Sequence, residues 1–137
     1  MIQKEYVLHM ARYNACQNSQ LRGIVLDMDD SELMAERGAF FGSLFATLNH
    51  ILFADSLWMS RWCSDVPNPI GGVDHKSFTK TRGDWDAARF RMDGRIRIWA
   101  QTLSNIDLVG TEEWYSNDQE RTMSQPKALC VAHMFNH

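Results

Sequence analysis

The chain has 137 residues, a length that suits a single domain. Hydrophobic residues make up 45% of it and charged residues 23%, which excludes an intrinsically disordered chain because enough apolar surface is available to offset the ordering entropy. The net charge of −3 argues against a generally basic nucleic-acid-binding protein. No apolar run approaches the roughly 18 residues of a transmembrane helix, and the first residues lack the order of a signal peptide.

The first predicted helix runs from about Lys4 to Met28. Its stripe of period 3.6 is apolar except for two asparagines, Asn14 and Asn18. Three acidic residues, Asp27, Asp29 and Asp30, oppose the negative end of a helix dipole, so we expect the helix to end there. Ser31 is then a candidate cap for a short helical turn.

The second predicted helix runs from about Phe41 to Trp62 and has the clearest pattern. Asp55 lies within its apolar stripe, whereas His50 lies away from the centre of that stripe, among small residues. The stripe consists of Phe41, Leu44, Leu48, Ile51, Leu52, Met59 and Trp62.

Residues 64–83 are predicted to form a loop because prolines and glycines interrupt them and no period is sustained. The third predicted helix follows from about Trp85 to Leu103, with Asp84 as its N-cap. Arg89 lies at the edge of its buried face, within reach of Asp55 as an ion-pair partner. The arginines of this segment do not share one face, so we interpret Arg89, Arg91, Arg95 and Arg97 as solvated charges.

The remaining chain predicts a small hairpin and then a fourth helix. Residues 111–115 and 120–123 are strand candidates on either side of turn residues. Ser124, Gln125 and Pro126 are expected to open the fourth helix, because proline is tolerated in a first helical turn. The elements together predict an all-α four-helix bundle.

The fourth helix is short, at about 18 Å against about 33 Å for the second. We therefore expect either a partner subunit over the exposed stripe or a chain truncated within its fourth helix.

Three cysteines, Cys16, Cys63 and Cys130, are far apart and odd in number. They match neither a disulfide framework nor a C-x-x-C zinc site, so we interpret them as small apolar core residues. This pattern favours a reducing cytoplasm as the compartment.

Two histidines, His133 and His137, are four residues apart on the fourth helix, the spacing at which two imidazoles can hold one metal ion. His50 on a neighbouring helix would add a third imidazole nitrogen. The alternative is that all three are surface or hydrogen-bonded histidines.

The polar residues on apolar stripes, Asn14, Asn18 and Asp55, also have two interpretations. A buried polar group without a partner costs about 1–3 kcal/mol, so these groups are expected to satisfy one another or bond a helix end. The other interpretation is that they orient a ligand or a metal-bound water.

Several of these segments resemble the DinB family, in the same order along the chain. The matching segments are Ala11–Ala15, Arg37–Ser43, Thr47–Leu52, Ala54–Asp55 and His133–His137. The resemblance implies a four-helix bundle of the DinB/YfiT-like type, commonly a homodimer, with a divalent metal on three histidines. Cys16 stands where the family usually has tryptophan.

By this resemblance the metal ligands here are His50 and His137, not the pair that spacing alone selects. The family's third ligand falls four residues beyond His137, a position that this sequence does not have. Zinc or nickel is the expected ion, and His133 is not expected to be a ligand. The family name reflects induction after DNA damage in some bacteria and does not imply DNA binding.

Two functions are therefore expected. The first is a metal-dependent thiol transferase or hydrolase in which Asn14 or Asp55 shapes the pocket, acting on a low-molecular-weight thiol and a small-molecule substrate. The second is a non-catalytic, dimeric, stress-related bundle with an incomplete metal site. Neither expectation includes a nucleic acid or a membrane as partner.

Overall fold

The computed structural model describes residues 1–137 and is mostly helical, with helices over 63% of the chain and a two-stranded antiparallel hairpin before the last helix. Two 3-10 turns, His75–Ser77 and Asn105–Leu108, lie in the connections. The elements in chain order are α1 (Lys4–Asp27), α2 (Asp30–Met34), α3 (Leu44–Trp62), α4 (Arg82–Thr102), β1 (Thr111–Ser116), β2 (Arg121–Pro126) and α5 (Lys127–Asn136).

The long helices pack along one another around two apolar clusters. Helix α1 lies against α4 and α5, and α3 lies against α4 and α5, while the short α2 rests on α3. The larger cluster is centred on Met59, Ile96 and Val131, and the smaller one on Leu52 and Trp85. None of the helices has both the length and the apolar character needed to cross a membrane.

Helix α3 begins at Leu44, three residues later than predicted. Ser43 is its N-cap, and the Ser43 hydroxyl accepts a hydrogen bond from the Ala46 amide at 3.0 Å. Phe41 lies instead in a turn that needs a glycine at position 42, where φ is +93° and the Glu36 carboxylate occupies the space of a side chain.

Helix α4 begins at Arg82, earlier than predicted, and Asp84 is not its cap. Thr81 is the N-cap, because its hydroxyl accepts the Asp84 amide at 3.1 Å. Asp84 lies in the first turn, where its charge is favourable to the helix dipole. The N-cap residue of the short α2 is Asp29, so the prediction of Ser31 as the cap is wrong.

The hairpin prediction is confirmed, and the strands are longer than expected. Trp114 pairs with Met123, and Thr111 pairs with Pro126 at the end of the ladder. Pro126 therefore ends β2 and does not belong to α5, which begins at Lys127. A strand end tolerates proline because its missing N–H faces no ladder partner.

The buried face of α3 differs from the predicted stripe. Phe45, Asn49 and Trp58 are buried, whereas Leu44 is 42% exposed. The cause is that α3 is contacted by several elements, namely α2, α4, α5 and the 3-10 turn His75–Ser77. A single stripe describes a helix with one covered face, and α3 has more than one.

The cysteines are all free, but only two of them are core residues. Cys63 and Cys130 are buried as expected. The prediction is wrong for Cys16, which is exposed on the outer side of α1.

A buried ionic network joins the three longest helices. Arg89 of α4 is 2% exposed and binds Asp55 of α3 at 2.6 Å and Asp93 of α4 at 2.7 Å. Asp93 also accepts a hydrogen bond from the Asn18 amide of α1 at 2.9 Å. The expected Asp55–Arg89 pair is thus present, Asn18 and Asp55 are satisfied within the protein, and Arg89 is not a solvated charge.

Substitution of Arg89 by methionine is expected to lower the free energy of unfolding by about 3–5 kcal/mol, because Asp55 and Asp93 would be left as buried carboxylates without a cation. Denaturant unfolding measures this loss. Arg95→Met is the matched control, since Arg95 binds Asp65 in a pair whose carboxylate is 63% exposed. The Arg95→Met substitution should lower the free energy of unfolding by less than about 1 kcal/mol. Equal losses in the two variants would contradict a structural role for the buried network.

Candidate metal centre

Four histidines lie in a row at one end of the helices. His50 Nδ1 is 2.9 Å from His75 Nδ1, and His50 Nε2 is 2.9 Å from His137 Nε2. The row continues from His137 Nδ1 to His133 Nε2 at 3.3 Å. Each neighbouring pair is thus joined through ring nitrogens, the atoms that donate or accept protons and bind metals.

Three separate elements bring these side chains together. His50 projects from α3, whereas His133 and His137 come from the last turn of α5 and the residue after it. His75 comes from the 3-10 turn inside the long connection between α3 and α4. The site therefore depends on how this connection and α5 are held against α3.

Asn49, the residue before His50, holds the connection in place. Its side-chain amide is fully buried and donates to the carbonyl oxygens of Lys76 and Thr79 at 3.2 Å. Its Oδ1 accepts the Thr79 amide at 2.9 Å and the Thr79 hydroxyl at 2.6 Å. The Asn49 side chain thus makes all of its hydrogen bonds to the segment that carries His75, and these bonds hold that segment against α3.

Aromatic rings enclose the central imidazole. The Phe41 ring stacks on His50 with centroids 4.1 Å apart and meets His75 edge-on at 5.5 Å. The room that small neighbours leave beside His50 is therefore filled from outside the helix by Phe41 and His75. The stacking fixes the plane of the His50 ring.

The electrostatics keep His50 neutral near neutral pH. Burial, with added repulsion from His137 and His75, lowers the pKa of His50 to about 4. Burial and His133 also lower the pKa of His137, and the nearby charge of Asp55 partly opposes this. A neutral imidazole retains a lone pair, which is the form that binds a metal ion.

The structure brings together both residues that were predicted as ligands, His50 and His137. His133 is adjacent to His137, at the far end of the row. No group of three or more His, Cys, Asp or Glu side chains converges on one point that could hold an ion. The reason is that the two nitrogens of His50 face opposite ways, one toward His75 and one toward His137.

Two further outcomes concern residues outside the predicted ligand pair. Asn14 is half-buried and makes no side-chain hydrogen bond, and Asp55 is engaged by Arg89. His75 is not among the predicted site residues, because it lies in a segment without periodicity. The only sequence signal was that a loop of this length is uncommon without a function.

A small, mostly apolar cavity adjoins the row of histidines. It has a volume of about 290 Å³ and lies between α3, the hairpin and α5. Trp58, Trp114 and Leu129 supply apolar walls, and His133 forms part of the lining. A small organic group can therefore be accommodated beside the histidines.

A comparison with protein-family models gives a match to the DinB family over residues 1–137. No curated protein and no solved structure matches the chain.

Substitution of Asn49 by alanine is expected to release the connection that carries His75. Four hydrogen bonds would be lost, and the partner groups of Lys76 and Thr79 would lose their protein contacts. Amide hydrogen exchange should show a loss of Thr79 protection of about tenfold or more. Ser60→Ala is the control, since Ser60 bonds only within α3. Unchanged Thr79 protection in Asn49→Ala would contradict this role.

Proposed function

Because the chain belongs to the DinB family, we propose that it is a metal-dependent enzyme in which His50 and His137 bind a divalent ion, zinc or nickel. The proposed reaction is transfer or hydrolysis with a low-molecular-weight thiol as nucleophile or substrate. The observation that carries the proposal is the pair of facing Nε2 atoms, 2.9 Å apart.

The separation of these two nitrogens fits a shared ion. Two bonds of about 2.0–2.1 Å that meet at about 90° place their nitrogens about 2.9 Å apart, and a tetrahedral angle requires about 3.3 Å. The observed distance therefore suits adjacent ligand positions, and an opening of about 0.4 Å would suit tetrahedral zinc. Both donors are imidazoles, which zinc and nickel accept.

His75 supports this proposal because its Nδ1 lies 2.9 Å from His50 Nδ1, where it can select the tautomer of His50. If the His50 Nδ1–H donates to His75 Nδ1, the His50 Nε2 carries the lone pair and faces His137. Ligating histidines commonly use their second nitrogen in this way, and the partner also fixes the ring orientation. Phe41 adds to this effect by stacking on the same ring.

The chemistry follows from the environment of the pair. A divalent ion held by His50 and His137 would lower the pKa of a thiol or water bound to it and so would supply a nucleophile near neutral pH. The cavity beside His133 would bind the organic part of a substrate through Trp58 and Trp114. His133 lies between this cavity and His137, where it can exchange a proton with a group in the cavity.

The second candidate is a non-catalytic, stress-related bundle with an incomplete site. One specific observation favours it, namely that no third ligand of this chain meets the His50–His137 pair. The two candidates differ in whether the isolated chain binds a stoichiometric metal ion.

We further propose that α1, α3, α4 and α5 form the four-helix bundle of the DinB/YfiT-like type. The mutual contacts of these four helices support it. The proposed location is the cytoplasm, in keeping with three free cysteines.

Removal of either proposed ligand is expected to abolish metal binding, because the remaining imidazole binds an ion only weakly. Zinc or nickel titration, with elemental analysis of the dialysed protein, should give about one ion per chain and none in His50→Ala or His137→Ala. His75→Ala should weaken binding by about 10–100-fold, as loss of an outer partner commonly does.

Two variants control for nonspecific imidazole binding. His133→Ala should retain the ion, because His133 is not a proposed ligand, and so should His9→Ala, which alters an exposed histidine of α1. Retained metal in both His50→Ala and His137→Ala would refute the site. Loss of metal in His9→Ala would show that the binding is nonspecific.

A homodimer is expected in solution, because apolar side chains such as Leu44 and Leu129 are exposed. Light scattering at micromolar concentration should give about twice the chain mass of 15.8 kDa. A mass equal to that of one chain would contradict the prediction, and Leu129→Glu should shift a dimer towards it.

A further inference from the structure

The outer side of α1 and α4 forms an open groove that is separate from the histidines. It has a volume of about 670 Å³, and all of its lining comes from these two helices. Three small residues, Ala15, Ser19 and Gly94, are part of this lining and leave space between the larger side chains. From Arg12 to Arg22 it extends for about 15 Å along α1, at 1.5 Å per residue.

Five of the chain's 14 basic residues line this groove, although the chain as a whole is acidic. They come from both helices, two from α1 and three from α4. The five are Arg12, Arg22, Arg91, Arg95 and Arg97.

Three of these arginines have no acidic partner. Arg22 is bound by Asp86 at 2.7 Å and Arg95 by Asp65 at 2.7 Å, whereas Arg12, Arg91 and Arg97 make no ion pair. The one acidic residue in the lining, Asp93, is already bound by Arg89 and Asn18. The groove therefore presents an excess of positive charge with no counterion from the protein.

Apolar side chains lie beside these charges. Phe90 is 64% exposed and Ile98 57% exposed, and both line the groove. The Arg22 guanidinium lies 5.0 Å from the centre of the Phe90 ring, which holds that ring at the groove wall. An occupant can thus combine several negative charges with a planar or apolar portion.

We propose that this groove binds an organic polyphosphate, with its phosphates on Arg12, Arg91 and Arg97 and its planar portion against Phe90 and Ile98. Guanidinium groups bind phosphate oxygens bidentately, and three unpaired arginines match two or three phosphates. The site shares no residue with the row of histidines, so it is independent of the function proposed above.

Inorganic tripolyphosphate and adenosine triphosphate are the probes, titrated by calorimetry at low ionic strength with adenosine as a third ligand. Tripolyphosphate and adenosine triphosphate should both bind, and adenosine triphosphate should bind more tightly. Adenosine alone should not bind. The affinity of both should fall as salt is raised, because the contacts are exposed charges. The proposal would be overturned if adenosine bound tightly, or if neither tripolyphosphate nor adenosine triphosphate bound.

Two matched pairs of variants test the location. Gly94→Glu adds a carboxylate to the groove lining, at a position where a Cβ meets no other atom within 4 Å, and should weaken tripolyphosphate binding about tenfold or more. Gly94→Ala should leave it unchanged. Arg91→Gln should weaken binding about tenfold, whereas Arg121→Gln, the same change of charge on the distant hairpin, should not.

Equal affinity in Gly94→Glu and the unmodified chain would overturn the location, and so would equal losses in Arg91→Gln and Arg121→Gln. An acidic peptide such as oligoglutamate is the competing occupant. If it binds the groove while neither phosphate does, the proposal is overturned in favour of a protein ligand.

Discussion

The interaction on which the rest of the structure depends is the buried guanidinium of Arg89. It binds one carboxylate on α3 and one on its own helix, and the second of these also accepts a hydrogen bond from α1. Ionic contacts of this kind require short distances and correct directions, whereas apolar packing tolerates small sliding movements. The network therefore sets the register of the three longest helices, although exchange for well-packed apolar residues need not reduce stability.

Helix α3 transmits that register to the row of histidines. Asp55 ties it to α4, and Asn49, less than two turns earlier, ties it to the connection that carries His75. His50 lies directly after Asn49, so its ring is placed by the same hydrogen bonds that hold its neighbour. Asn49 and His50 thus have separate roles. The Asn49 amide holds the connection between α3 and α4 in place, and the His50 imidazole faces the other histidines.

Local patterns were sufficient to predict most of the fold. The period of 3.6 located the long helices, and the reach of Arg89 predicted its pair with Asp55. The boundaries were less accurate where a hydroxyl side chain caps the helix, as Ser43 and Thr81 do, because apolar periodicity does not record a single hydrogen bond. The prediction of the buried face of α3 was wrong because apolar periodicity assumes that a helix is covered on one side only.

The candidate site was only partly predictable for a related reason. The resemblance selected His50 and His137, and the structure places their nitrogens in contact, whereas His75 was missed. Its position follows from hydrogen bonds between Asn49 and the backbone of a segment about 30 residues away, and no sequence period contains such a contact. The arginine groove was missed likewise, because it is formed by two helices that are distant in sequence.

The stacked tryptophans have a consequence for the circular dichroism of the protein. The indoles of Trp62 and Trp99 stack with centroids 5.0 Å apart and planes 9° apart, and Trp58 stacks on Trp62 in turn. Trp62 belongs to α3 and Trp99 to α4, so the stack exists only while these helices are docked. Chromophores this close couple electronically, so near-ultraviolet circular dichroism reports this helix pair without an added label.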